Sequence, residues 1–444
     1  MTVAAPPAPP APAGRFSTRT TPGRYRIAAA AIGLVAVLAA VLGTISAATM
    51  RSSTHSARDD SGPVLVATQS LVSSLAEADA AATAAFFSGA NEDPEQRRLY
   101  EQALARATEQ LADIASLAGD DAATHALLGK VSVAVTRYAG LVEAARAGNR
   151  ARSDAADDDL VRAVTLLDRT IGQDAQRLTD ATRARLGRDE RRRDDGFPLA
   201  RASLTVALLA LVGGQGLLFL TTRRVLNPLL VAATVCVGIA LVWVGVADAR
   251  SGRAVDTARR EGYESIAFTA RLQTTAFGAK ADETLALITG DAARRREADQ
   301  GLTALAASRV TPETVAAIRA GTAYGAPGGL LGLAAQAADS PRERAAVAEM
   351  TQRWQRYRET VDAVRRARTP DEARAVAVGP AAASFTAFNY SVEAVLGQNR
   401  DQFLDGLGDA AATTSRLPFV VLLLPLAGAV AALAGFQMRI NEYR

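Results

Sequence analysis

The sequence predicts an all-α membrane protein, with four transmembrane helices carrying two extracytoplasmic four-helix-bundle domains. Three observations lead there. Four apolar runs, at 27–49, 199–220, 226–246 and 417–436, are each long enough to cross a hydrocarbon core of about 30 Å as a helix. The two long segments between them repeat apolar residues at steps of three and four, the pattern of bundle helices. The short segments at the span ends are rich in arginine, which marks a cytoplasmic face.

In chain order, residues 1–26 open with an Ala/Pro/Thr-rich stretch that reads as a disordered cytoplasmic tail. Within it, Ser17 to Pro22 is a candidate acceptor run for a Ser/Thr kinase. After the first span comes the first lobe, 50–198. Its stripes are Leu71, Leu75, Ala78, Ala82 and Phe86, then Tyr100, Leu104, Ala107, Leu111 and Ile114. Leu128, Val131, Val135, Tyr138 and Val142 follow, then Leu160, Val164, Leu167, Ile171, Ala175 and Leu178. Turns at 88–94, 119–123 and 148–155 separate four helices. The second and third spans are joined by a turn at 221–225.

The second lobe, 247–416, follows the same plan. Tyr263, Ile266, Ala270, Thr274, Phe277, Ala281, Leu285 and Ile288 form one stripe. Val347, Met350, Trp354, Tyr357, Val361 and Val364 form another, and Phe385, Phe388, Val392 and Val395 begin the last. The Gly/Pro-rich stretch 321–332 reads as a loop, and its Leu330-Leu331 as a candidate membrane-interface contact. Two short matches suggest that the lobes are copies. Arg137-Tyr138 with Val142, Glu143, Ala144 and Arg146 parallels Arg356-Tyr357 with Val361, Asp362, Ala363 and Arg365. Ala78-Asp79 parallels Ala281-Asp282. The fourth span ends at 436, and 437–444 is a short tail.

Orientation comes from Arg15, Arg19, Arg24 and Arg26, from Arg223 and Arg224, and from Arg439 and Arg444. All sit in short segments, so the expectation is a multi-pass plasma-membrane protein with both termini cytoplasmic. The net charge of +4 resides largely in these edges; the first lobe is mildly acidic and the second near neutral, so nucleic acid is not an expected partner. The single cysteine and two histidines offer no recognisable metal-ligand spacing. No phosphate-binding loop, nucleophile elbow or kinase motif is present, so neither an enzyme nor a cofactor is expected. Gln215 is the one strongly polar side chain deep in a span, suited to hydrogen-bonding across helices. The runs Asp157–Asp159, Arg191–Arg193 and Arg294–Arg296 read as solvated charge.

Up-down bundles return both ends to one pole, which puts the helix 1–2 and 3–4 turns at the opposite tip. The candidate partner-contact residues there are Gly89, Asn91, Asp93, Gly290, Asp291, Arg294 and Asp371. The candidate output residues at the cytoplasmic edge are Arg223, Arg224, Asn227 and Arg439. The lobes resemble the input modules of chemoreceptors and histidine kinases. From Arg24 onward, the doubled span–bundle–span unit and the Arg-rich span boundaries resemble the actinobacterial GlnX family by topology. That resemblance implies an extracytoplasmic amino-acid-binding lipoprotein and the cytosolic Ser/Thr protein kinase G as partners. It supplies no ligand residues. The expected function is a non-enzymatic relay from that lipoprotein to the kinase. The alternatives are a direct small-ligand receptor with its pocket between helices, and an envelope structural or assembly protein.

Overall fold

The computed structural model describes residues 21–89, 92–119, 121–153, 155–222, 227–258 and 263–441. Among these, every regular element is helical. The tail before residue 21, and with it the Ser17–Pro22 run apart from its last two residues, lies outside the described residues, as do Asn91, Arg223 and Arg224. The chain forms two compact units: Met1–Thr54 with Arg191–Ser251 and Ala411–Arg444, and His55–Glu190 with Gly252–Ala410.

The first unit holds the apolar runs. They lie in α1 (Thr21–Ser56), the C-terminal part of α6 (Gly172–Thr222), α7 (Pro228–Thr257) and α15 (Leu417–Asn441). These contain the four helices long and apolar enough to cross a membrane. Ala39, Ala47, Leu204, Leu211, Val237, Val421 and Phe436 pack inward in one cluster. Leu34, Leu209, Val242, Leu423 and Val430 face outward, uncovered. Helices apolar on both faces suit a lipid surround. Small residues set the close contacts: a Cβ on Gly43 would lie 2.5 Å from Val421 Cγ1, and one on Gly214 would lie 2.4 Å from Ile32 Cδ1. Gln215 plays its expected part, its Nε2 donating to the Leu230 carbonyl at 3.0 Å and to Thr234 Oγ1 at 2.6 Å. Arg193 corrects the reading of its run as solvated. It is buried, and its Nη1 donates to the Ser251 carbonyl at 3.0 Å, an interhelical partner that a sequence run cannot reveal.

In the second unit, the first lobe is a four-helix bundle. Its members are α2 (Gly62–Phe87), α3 (Pro94–Leu117), α4 (Ala122–Ala151) and α5 (Ala155–Leu166), which passes through a π-helical turn, Leu167–Ile171, into α6. The expected stripes fill its core, with Leu71, Tyr100, Ile114, Val131, Tyr138 and Leu178 all buried. Asp93 caps α3 by accepting from Glu95 N at 2.9 Å, with Pro94 at the first helical position.

The second lobe keeps three long members: α8 (Glu264–Thr289), α12 (Pro341–Arg366) and the line from α13 (Pro370–Val376) through the π-helical turn Ala377–Ala381 into α14 (Ala382–Ser415). Its remaining position is filled in pieces, by α9 (Ala292–Leu305), α10 (Pro312–Ala320) and α11 (Gly329–Ala337). Pro312 begins one piece, and Gly321, Gly325 and Gly328 adopt positive φ between the others, so a single rod cannot form. Leu330 and Leu331 are corrected here. They are buried in the lobe's core on α11, because that short helix fills the gap left by the break. Trp354, Tyr357, Phe385 and Phe388 form the centre, with Trp354–Phe388 centroids 5.3 Å apart and Tyr357–Phe385 centroids 5.0 Å apart.

The two lobes share one unit because α2 packs on α8 as well as on α3. Glu77 and Asp79 are the only charged residues in Gly62–Phe87, so α2 has no wide polar face to leave in water. Ala80 enters the second lobe's core, and Leu285 of α8 joins Ala145, Leu160 and Val164 of the first.

Candidate functional site

Between the lobes, α2, α3, α8 and α14 line a partly open polar cavity of about 340 Å³. The apolar stripes that bury α2 and α3 against each other leave their flanking positions, Ser73, Glu77, Gln96, Arg106 and Gln110, facing this space. From the other lobe come Gln273 and Lys280 on α8 and Asn389, Glu393 and Arg400 on α14. Phe277 and Phe385 supply apolar wall.

The cavity gathers unsatisfied polar atoms. Ser73 Oγ, Gln96 Oε1, Gln110 Oε1, Gln273 Oε1 and Arg400 Nε are all buried without a hydrogen-bond partner. Ser73, Gln96 and Gln273 are each more than nine-tenths buried. Such atoms are rare in folded proteins because each forfeits its water at roughly 1–3 kcal/mol. Five on one wall set make a lining that water or a polar guest satisfies.

The charges are unevenly matched. Arg106 Nη2 meets Glu77 Oε2 at 2.5 Å. Burial raises the Glu77 pKa and the arginine opposes that rise. Lys280 makes no ion pair within 4 Å among the described residues; its ammonium sits 4.6 Å from the Phe385 ring centroid, and burial pushes its pKa down to about 8 against the attraction of Glu77. Burial also lowers the Arg400 pKa, with Glu393 and Asp401 opposing. Two half-buried cations without ion pairs among the described residues, beside three amide oxygens without donors, suit a molecule carrying both an anionic group and N–H groups.

A second inter-lobe feature is an acidic cluster beside the Leu167–Ile171 turn. Asp79 is buried and accepts from Tyr138 Oη at 3.2 Å. Burial, reinforced by Asp168 and Asp282, raises its pKa to about 8. Asp282 is raised to about 6, mainly by burial, and Arg294 opposes this from 2.9 Å. Of the matched residues of the Ala-Asp repeat, Asp282 adds a small part to the rise at Asp79 across the lobes. No group of three or more His, Cys, Asp or Glu side chains is arranged to hold a metal among the described residues.

The sequence-predicted site residues lie elsewhere or serve the fold. Gly89 and Gly290 terminate α2 and α8 with φ of +84° and +71°. Asp93 and Asp291 cap α3 and α9, and Asp371 is exposed in the first turn of α13. Arg294 bonds Asp282 and Glu297 and lies 3.7 Å from Asp168 of the other lobe. Asn227 Nδ2 donates to the Gly435 carbonyl at 2.8 Å while its Oδ1 accepts from Leu229 N. Arg439 lies within α15. The cavity itself was missed. The available signals were the almost uncharged α2 and the glutamines flanking the α3 stripe.

Four lipid-suited helices and a two-lobed helical unit with a polar cavity describe a multi-pass membrane protein. Residues 53–191, which hold the first lobe, match the family described as an actinobacterial sensor domain. That match supports a sensing or signalling role. No curated protein matches the chain.

Proposed function

We propose that the protein is a non-enzymatic transmembrane sensor that binds a small zwitterionic molecule, such as an amino acid, directly between its lobes. The lobes face outward and both termini face the cytoplasm, as the arginine pattern of the short segments favours. The observation that carries this reading is the cavity with five unpartnered buried polar atoms and two cations lacking ion pairs. The guest's carboxylate meets Lys280 and Arg400, and its ammonium meets the amide oxygens of Gln96, Gln110 and Gln273. Binding draws α8 and α14 toward α2 and α3, a displacement of about 1–2 Å being typical of helix shifts at such interfaces.

The GlnX resemblance supplies the second reading, in which an amino-acid-binding lipoprotein delivers the signal and a cytoplasmic Ser/Thr kinase receives it. The sensor-domain match favours it in kind. The tip residues weigh against docking there, since most already cap helices or pair internally.

Titration calorimetry on the full chain in detergent, with a panel of amino acids and the corresponding amines and carboxylic acids, tests the proposal. Wild-type protein binds zwitterions, and Lys280→Met weakens binding by tenfold or more. Heat only when a solute-binding protein is added, and none without it, selects the relay instead.

A further inference from the structure

The membrane unit carries a feature that ligand sensing does not use. Between α7 and the junction of α14 with α15 runs an open groove of about 870 Å³. Ile239, Val242, Trp243 and Val246 form its apolar wall, each with more than two-fifths of its surface uncovered. Arg250 and Arg416 stand at its rim. No acidic residue lines the groove. Neither arginine side chain has a hydrogen-bond or ion-pair partner among the described residues, and both are exposed. Their neighbours behave differently: Arg201 pairs with Asp248, and Arg193 is taken up by Asp194 and the Ser251 carbonyl. The helix is interrupted at Arg416, two residues before Pro418, whose missing N–H loosens the turn there.

We propose that this groove is a binding site for one anionic phospholipid. Its phosphodiester is held by Arg250 and Arg416, and an acyl chain lies along Ile239, Val242 and Trp243. Guanidinium groups bind phosphate oxygens in fork geometry. Basic pockets between membrane helices select anionic head groups on the same grounds. The half-exposed Trp243 places an amphipathic ring beside the chain, as membrane-interface aromatics do. Free phosphate has no use for the apolar wall. A second copy of the chain is a poor occupant. In one membrane both copies share the bilayer normal, so a two-fold contact brings four arginines to one depth with no acid in the groove to answer them.

The test uses the full chain with Trp354→Phe, which leaves Trp243 as the one tryptophan of the two in the sequence. Its fluorescence is followed in detergent micelles as brominated phosphatidylglycerol or brominated phosphatidylcholine is added. Phosphatidylglycerol quenches at a mole fraction lower by on the order of tenfold, in keeping with the attraction of two basic side chains for an anionic lipid surface. In Arg250→Gln/Arg416→Gln the two curves coincide, with unchanged helix content. Arg51→Gln, which removes an exposed arginine of α1, keeps the preference. Equal quenching by both lipids, a preference that survives the double substitution, or an equal loss with Arg51→Gln overturns the proposal. So does quenching that weakens as protein concentration rises, since a second copy then covers the groove.

Discussion

Replacing Asp79 with Asn removes a carboxyl that the fold holds protonated well above its usual range. In the unfolded chain this group ionises near 3.8; in the folded lobe it does so at about 8. Between those values the unfolded state has released a proton that the folded state retains. The contribution is therefore fully present below about pH 4 and is lost as pH rises toward 8. Each pH unit of that interval weakens the fold by about 1.4 kcal/mol, so the ceiling is about 6 kcal/mol. Real interiors respond with a higher effective dielectric than dry protein, which reduces this to about 2–3 kcal/mol. The groups facing Asp79 are Tyr138 on α4, Asp168 in the π turn, Asp282 on α8 and Arg294 on α9. Asp168 and Asp282 are themselves raised, mainly by burial, so their titration slopes the same way. Asn keeps an acceptor for the Tyr138 hydroxyl and carries no charge. The assay is thermal unfolding of the full chain in detergent from pH 5 to 8.5, followed through the buried Trp354. Wild type loses roughly 5 °C across that range, at about 2–4 °C per kcal/mol for domains of about 150–250 residues and less for larger ones. Asp79→Asn flattens most of the slope and melts above wild type at pH 8. A variant that follows the wild-type curve in parallel refutes the reasoning, because the proton then resides elsewhere.

Two further outcomes follow from packing. A Cβ at Gly332 would lie 2.1 Å from the Gly325 carbonyl oxygen, and both atoms are tied to backbone. Gly332→Ala therefore costs about 2–4 kcal/mol, read as a lower melting temperature and faster amide exchange in α11. Gln215→Leu removes both hydrogen bonds from α6 to α7 and lowers stability in detergent by about 1 kcal/mol, while ligand binding in the lobes is unchanged.

Much of the architecture was legible because it follows from local chemistry. The apolar runs, the three-and-four stripes around Tyr100, Tyr138 and Trp354, and the Asp-Pro start of α3 each act within a few turns of chain. Gln215 was legible too, since a polar group in a span must find a partner. The second lobe was harder. Its stripes mark α8, α12 and α14, but whether α9 to α11 would join into one rod depended on how Leu330 and Leu331 found a core. Arg193 and Arg294 look identical to solvated arginines in a run; only helices distant in sequence decide that one is buried and the other bridges two lobes.

By itself, then, the sequence determined that this chain is helical, that four of its helices suit lipid, and which residues stripe the long helices of both lobes. Only the tertiary structure decided that α2 faces two lobes at once, and that decision creates the cavity. The physical reason is that periodicity reports which face of a helix avoids water, but not what it meets. The juxtaposition of Lys280 and Arg400 with Gln96 and Gln110 arises between helices whose separate sequences carry no record of each other.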